Sequence, residues 1–196
     1  MVLLRFLLLL FLLPAVALPA RAASPVKARP LSGMGLLLVR DDGKRLVIYR
    51  EPKLGRLAEL PGRELPGLLP SLGAVSGCFP AVVLSTRPGW LRIVYDAAER
   101  DGWVERRRSG EFLPWGEFLP GRSIGMLPGL RKESYQLRRE AVSGAESLRS
   151  VGQDESFRVA AVRGDWVRVN AGAGGEGWLR WRDDNSRLLI SVRTAE

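Results

Sequence analysis

The amino-acid sequence predicts an all-β chain folded as two small tandem β-barrels. Three observations lead there. Segments such as "ESFRVAAV" (155–162) and "DWVRVN" (165–170) alternate apolar and polar residues at period two, as half-buried strands do. Turn-forming pairs such as Asp42-Gly43 interrupt the apolar runs, and no stretch beyond residue 22 shows a long amphipathic helical pattern. One unit occurs twice, over 23–120 and again over 121–196. Five or six short strands per unit are too few for two stacked sheets, whereas a strongly bent barrel removes exposed edges.

Residues 1–22 stand apart from both units. Arg5 supplies a short positive start, residues 6–13 are uninterruptedly apolar, and Ala20-Arg21-Ala22 forms a small-x-small cleavage pattern. The apolar stretch 6–20 is shorter than the roughly 18–20 residues that cross a bilayer. It therefore reads as a cleaved signal peptide that leaves no stable membrane anchor, and the expected location is exported, in the periplasm of a Gram-negative cell, with an exported Gram-positive protein as the alternative. The 196 residues include 30 basic and 21 acidic ones, for a net charge of +9. Removing residues 1–22 takes away Arg5 and Arg21 and no acid, which leaves +7. In that compartment the anions are wall polymers, anionic lipids and acidic glycans, so a nucleic-acid partner is not expected. Cys78 is the single cysteine, so no intramolecular disulfide forms and the fold must rest on its apolar core. Cys78 ends a lipobox-like "VSGC" far from the leader and reads as a small buried residue.

In the first unit, "LLLVRDDGKRLVIY" (36–49) predicts a hairpin turning at Asp42-Gly43. "REPKLG" (50–55) follows, and "REAVSG" (139–144) answers it in the second unit. A Pro- and Gly-rich insertion over about 60–80 belongs in a loop and makes the first unit the longer. "WLRIVYDAAERDGWVERRRSGEFL" (90–113) is then matched by "WVRVNAGAGGEGWLRWRDDNSRLL" (166–189). Both run Trp-aliphatic-Arg-aliphatic, a polar or glycine-rich loop, then Gly-Trp-aliphatic. Between the units, Phe112 and Leu113 are expected to end the first, Trp115 and Phe118 to pack at the junction, and Gly121 to open the second. Residues 133–151 are expected to be loop, and "RDDNSRLLI" (182–190) to repeat the Asp-rich turn.

These motifs resemble bacterial SH3-like (SH3b) domains. The first unit supplies "IYREP", "GWLRIV" and "DGWVERR", and the second "QLRREA", "GDWVRVN" and "EGWLRWRD". The resemblance covers nearly all of the chain beyond residue 22. It implies two tandem SH3-like barrels that bind and do not catalyse. It also places Trp90 and Trp166 where related domains keep a tryptophan in the ligand groove. The tyrosine cluster and terminal proline of a polyproline groove are missing, which argues against Pro-x-x-Pro ligands.

The "GAGGEG" stretch (172–177) matches a dinucleotide fingerprint only on paper, since an alternating strand follows its glycines where a phosphate-holding helix is required. Without histidine, Ser-His-Asp and Cys-His chemistry is excluded, and neither metal nor cofactor is expected. Ser24 and Lys27 match a Ser-x-x-Lys motif outside any fold able to use it. Asp41-Asp42 and Asp183-Asp184 fall in predicted turns. Candidate ligand-binding residues are Trp90, Arg92, Trp166 and Arg168, with structural packing as the alternative for the tryptophans and a solvated sheet face for the arginines. Gly102, Trp103, Gly177 and Trp178 are expected to be structural, the tryptophans packing into the barrel and Trp181 sharing the face of Trp178. The expected partner is a cell-wall peptide or glycan, or alternatively an envelope protein that the chain docks onto as a scaffold.

Overall fold

The computed structural model describes residues 29–40, 42–68, 77–170, 172 and 175–193. The leader, the Ser24/Lys27 match, Asp41 and most of the 60–80 insertion's tip lie outside them. The fold is all-β, with two antiparallel sheets of seven strands each.

The first sheet contains β1 (Gly35–Arg40), β2 (Arg45–Glu51), β3 (Leu54–Pro61), β4 (Cys78–Arg87), β5 (Trp90–Val94), β6 (Asp101–Glu105) and β7 (Glu111–Pro114), with a short helix α1 (Arg106–Ser109) before β7. Helix α2 (Trp115–Phe118) leads to the second sheet. That sheet contains β8 (Ser123–Met126), β9 (Gln136–Arg138), β10 (Ser147–Ser150), β11 (Phe157–Arg163), β12 (Trp166–Asn170), β13 (Glu176–Arg180) and β14 (Ile190–Arg193). Strand order is β3-β2-β6-β5-β4-β1-β7 in the first and β10-β9-β13-β12-β11-β8-β14 in the second. Adding seven to each label converts one order into the other. Neither ladder joins its two end strands among the described residues.

The likeness extends to register. Arg92 and Tyr49 flank Trp103 across the first sheet, as Arg168 and Arg138 flank Trp178 across the second. A bulge bends β4 between Val83 and Ser85, and another bends β11 at the equivalent Val159 and Ala161. The first unit's extra length falls between β3 and β4, where residues 62–77 correspond to 151–156 of the second.

Two details of the sequence reading are corrected. Asp42-Gly43 joins strands that do not pair: β1 lies between β4 and β7, while β2 pairs with β3 and β6. Strand β1 is apolar on both faces and is claimed by neighbours on both sides, so the chain must leave it. The tight hairpin is β2–β3, turning at Pro52 and Lys53 (φ 68°). Residues 133–151, expected as loop, hold most of a 3-10 turn (Lys132–Tyr135) and the β9–β10 hairpin. Cys78 is half-buried at the start of β4.

The two glycines of the Gly-Trp motifs have a packing reason. A Cβ on Gly102 would lie 2.4 Å from Ile48 Cγ2, and one on Gly177 would lie 2.6 Å from Leu137 Cγ. These glycines and the following Val104 and Leu179 face the core, so Trp103 and Trp178 necessarily face outward. The expectation that both tryptophans enter the barrel is corrected by this parity. Trp103 is nonetheless covered (4% exposed), beneath Arg87, whose guanidinium carbon sits 4.4 Å from the ring centroid. Trp178 is half-buried. Trp181, expected to share the face of Trp178, stands three residues beyond it and so turns the other way, into the core between the sheets.

The core has two parts. Leu37, Val39, Ile48, Val83, Leu91, Ile93 and Val104 pack together on one side of the first sheet. Leu36, Leu38, Val82 and Val94 project from its back and join Ile124, Leu137, Val159, Val167, Val169 and Leu179 of the second unit in one cluster. Trp115, Phe118 and Trp181 seal the seam, with Trp115 5.2 Å from Trp181 and donating its indole N–H to Ser32 O at 2.7 Å. The junction residues pack as the sequence suggested. Polar ties surround them. Arg187 engages Glu99 and donates to Arg29 O at 2.8 Å, and Arg29 pairs with Asp183 at 2.6 Å.

Candidate functional site

The β4–β5 turn, through Pro88 and Gly89 (φ 78°), delivers Trp90 to the outer face of β5, because Leu91 and Ile93 take the inner face. Tyr49, from β2, meets Trp90 edge to face with centroids 5.6 Å apart and planes at 88°. The two rings stand in a cleft of about 270 Å³ lined also by Lys53, Gly89, Glu105 and Arg107. Lys53 comes from the β2–β3 turn, Glu105 from β6 and Arg107 from α1, so elements distant in the chain converge.

Arg107 also walls two further hollows, of about 640 and 390 Å³. One adds Lys44, Arg45 and Glu59, and the other Arg40, Asp42, Lys44 and Arg108. Most of these charges are already matched. Lys44 donates to Asp42 at 2.8 Å, and its ammonium holds the Asp42 carboxyl below its ordinary range. Arg45 and Arg56 share Glu59, and Arg108 stands 3.4 Å from Glu105. Lys53 and Arg107 have no carboxylate within 4 Å among the described residues. The cleft therefore combines an aromatic wall with two unneutralised cations. Such a site suits an elongated ligand with an apolar portion and carboxylates.

Of the four candidate ligand-binding residues, Trp90 lies in this cleft. Arg92 is exposed on the same face but bound to Asp101 at 2.6 Å. Trp166 is buried to 9% exposure, with Arg180 over its ring, so it presents no open platform. The reason is a pair of exchanges at equivalent positions. Arg180 stands where the first unit has Glu105, and Arg138 where it has Tyr49. Arg168 is exposed, with Glu176 loosely placed at 3.8 Å. The structure thus gathers no single site from all four. Tyr49, Lys53 and Arg107 were not singled out by sequence reasoning, although the Tyr in "IYREP" and the arginine run after Glu105 were the signals available.

The acidic pair Asp183-Asp184 is structural. Asp183 accepts backbone N–H groups from Asn185 and Arg187 and pairs with Arg29, while Asp184 pairs with Arg180. Asn170 faces Glu176 across β12 and β13, so a strand, not a helix, follows the glycines of "GAGGEG".

No known protein family and no curated protein matches the chain. Among solved structures, NlpC1 from Trichomonas vaginalis aligns at 12% identity over 83% of this chain and 52% of that one, with a TM-score of 0.33. The chain spans about half the length of that protein. At that score neither fold nor function is transferred.

Proposed function

We propose that this chain is an exported, non-catalytic binding module of two tandem SH3-like units that recognises cell-wall peptide or glycan. The observation that carries the reading is the Tyr49–Trp90 cleft with Lys53 and Arg107 unpaired at its wall. Wall peptides combine an extended backbone, small apolar groups and free carboxylates, and the cleft offers a partner for each. The repeated strand order and the tryptophan opening β5 support the SH3-like reading. The trough beyond Arg107 gives a chain-like ligand room to run on.

The test is co-sedimentation of the purified protein with isolated sacculi. Trp90→Ala is expected to weaken pelleting about tenfold or more, as loss of an aromatic anchor does. Arg107→Gln should weaken it less and flatten its salt dependence. A folded wild-type protein that stays in the supernatant at low salt overturns the reading.

A second reading, an envelope scaffold docking onto another protein, is favoured by one observation. Leu54 and Leu57 are exposed on β3, whose outer edge is unpaired among the described residues, and an edge with apolar side chains suits strand pairing with a protein partner. Pelleting that survives muramidase digestion of the glycan and is abolished by Leu57→Lys selects that alternative.

A further inference from the structure

The two units expose different tryptophans with different charge around them. In the first unit the outward row Tyr49–Trp103–Arg92 is electrically closed: Arg87, stacked on Trp103, pairs with Glu51 at 2.8 Å, and Arg92 pairs with Asp101 at 2.6 Å. Two cations meet two anions, and the row is neutral. The equivalent row of the second unit is Arg138–Trp178–Arg168. Arg163, the counterpart of Arg87, lies over the Trp178 ring at 5.1 Å from its centroid. It has no carboxylate partner among the described residues. Arg138 donates only to a backbone oxygen, Ala145 O at 2.7 Å, and Arg168 has Glu176 at a loose 3.8 Å. Three cations against one anion leave this patch at about +2 by the ordinary charges of these groups.

We infer that the outer face of the second sheet around Trp178 is a separate binding site for a carboxylated polysaccharide, a linear chain of uronic-acid sugars. The Arg163 guanidinium lies over the indole and has no carboxylate partner among the described residues, so its N–H groups can take a planar carboxylate in bidentate fashion. Arg168 and Arg138 stand on either side of the indole, so a chain crossing the strands meets a cation, an aromatic rim and a second cation in turn. The half-buried indole adds apolar surface for the ring carbons of a sugar. A peptide is less well served. Strand β13 is interior, flanked by β9 and β12, and its backbone groups are committed to those ladders. Side chains must therefore do all the recognising, and a repeating sugar acid supplies an anion and an apolar face in every residue.

The experiment is isothermal titration of the purified protein with a galacturonate hexamer at low ionic strength. Arg163→Gln and Arg168→Gln are each expected to weaken binding about tenfold, the usual effect of losing a charge-assisted hydrogen bond. Glu176→Gln, which removes the patch's one anion, is expected to tighten binding two- to threefold, an effect that a purely structural role does not produce. Arg131→Gln, which removes an exposed cation outside the patch, leaves the hexamer's affinity unchanged. The inference is overturned if folded wild-type protein shows no binding at millimolar hexamer. It is also overturned if Arg131→Gln weakens binding as much as Arg163→Gln, or if polyglutamate of equal charge binds as tightly.

Discussion

Replacing Trp115 with alanine removes the side chain that seals the seam between the sheets. The indole is 4% exposed, packs edge-on against Phe118 at 5.7 Å and leans on Trp181 at 5.2 Å. Truncating a buried aromatic to alanine costs about 3–5 kcal/mol, through lost transfer energy and the cavity left behind. The Ser32 carbonyl, in a fully buried residue, also loses its indole donor. An unsatisfied buried acceptor costs about 1–3 kcal/mol, and Trp115→Phe isolates most of that part because it keeps much of the ring. We expect about 4 kcal/mol for alanine and about 2 kcal/mol for phenylalanine, allowing for overlap between the two effects. The assay is urea unfolding followed in parallel by far-ultraviolet circular dichroism and tryptophan fluorescence. Because one apolar cluster draws on both sheets, the wild type should give a single transition with coincident curves. A loss below about 1 kcal/mol for Trp115→Ala, or two separate wild-type transitions, refutes the idea of a shared core.

Two further outcomes follow from the same geometry. Gly102→Ala and Gly177→Ala force a methyl into Ile48 and Leu137, and each should lower stability by about 1–3 kcal/mol in the same urea assay; a neutral result at either site contradicts the packing described. For Asp183, burial disfavours the charged form, but the Arg187 backbone N–H and the Arg29 guanidinium outweigh it and hold the carboxyl below its ordinary range. A folded-state value lowered in this way stabilises the fold above about pH 4 and is lost as pH falls through that value. Melting temperature should therefore drop below about pH 4, and less steeply in Asp183→Asn; parallel acid profiles for the two proteins contradict this role.

Much of the fold was legible in the sequence because it rests on local chemistry. The duplication, the insertion, the Gly-Trp pairs and the junction residues Trp115 and Phe118 all depend on residue types at fixed spacing. What the sequence could not show depends on which residues face one another across strands. The outward placement of Trp103 and Trp178 follows from the glycines occupying the inner positions beside them, which appears only once Ile48 and Leu137 are known to press there. Likewise Trp90 and Trp166 look equivalent in the aligned motifs. Their different exposure comes from Tyr49 and Glu105 in one unit against Arg138 and Arg180 in the other, on strands distant in the chain. The β2–β3 hairpin was missed because its turn, Pro52-Lys53, lacks the usual Asn-Gly or Asp-Gly signature.

The back of the first sheet, where Leu36, Leu38, Val82 and Val94 meet the second unit, gives the duplication a direction. The halves behave like the subunits of an obligate heterodimer fused into one polypeptide, each copy having specialised for a place that the other cannot take. Fusion fixes their stoichiometry and makes their association independent of protein concentration. Either half alone would carry a bare apolar face and tend to self-associate. Gene rearrangements that excise or shuffle one copy should therefore yield sticky fragments rather than smaller working modules.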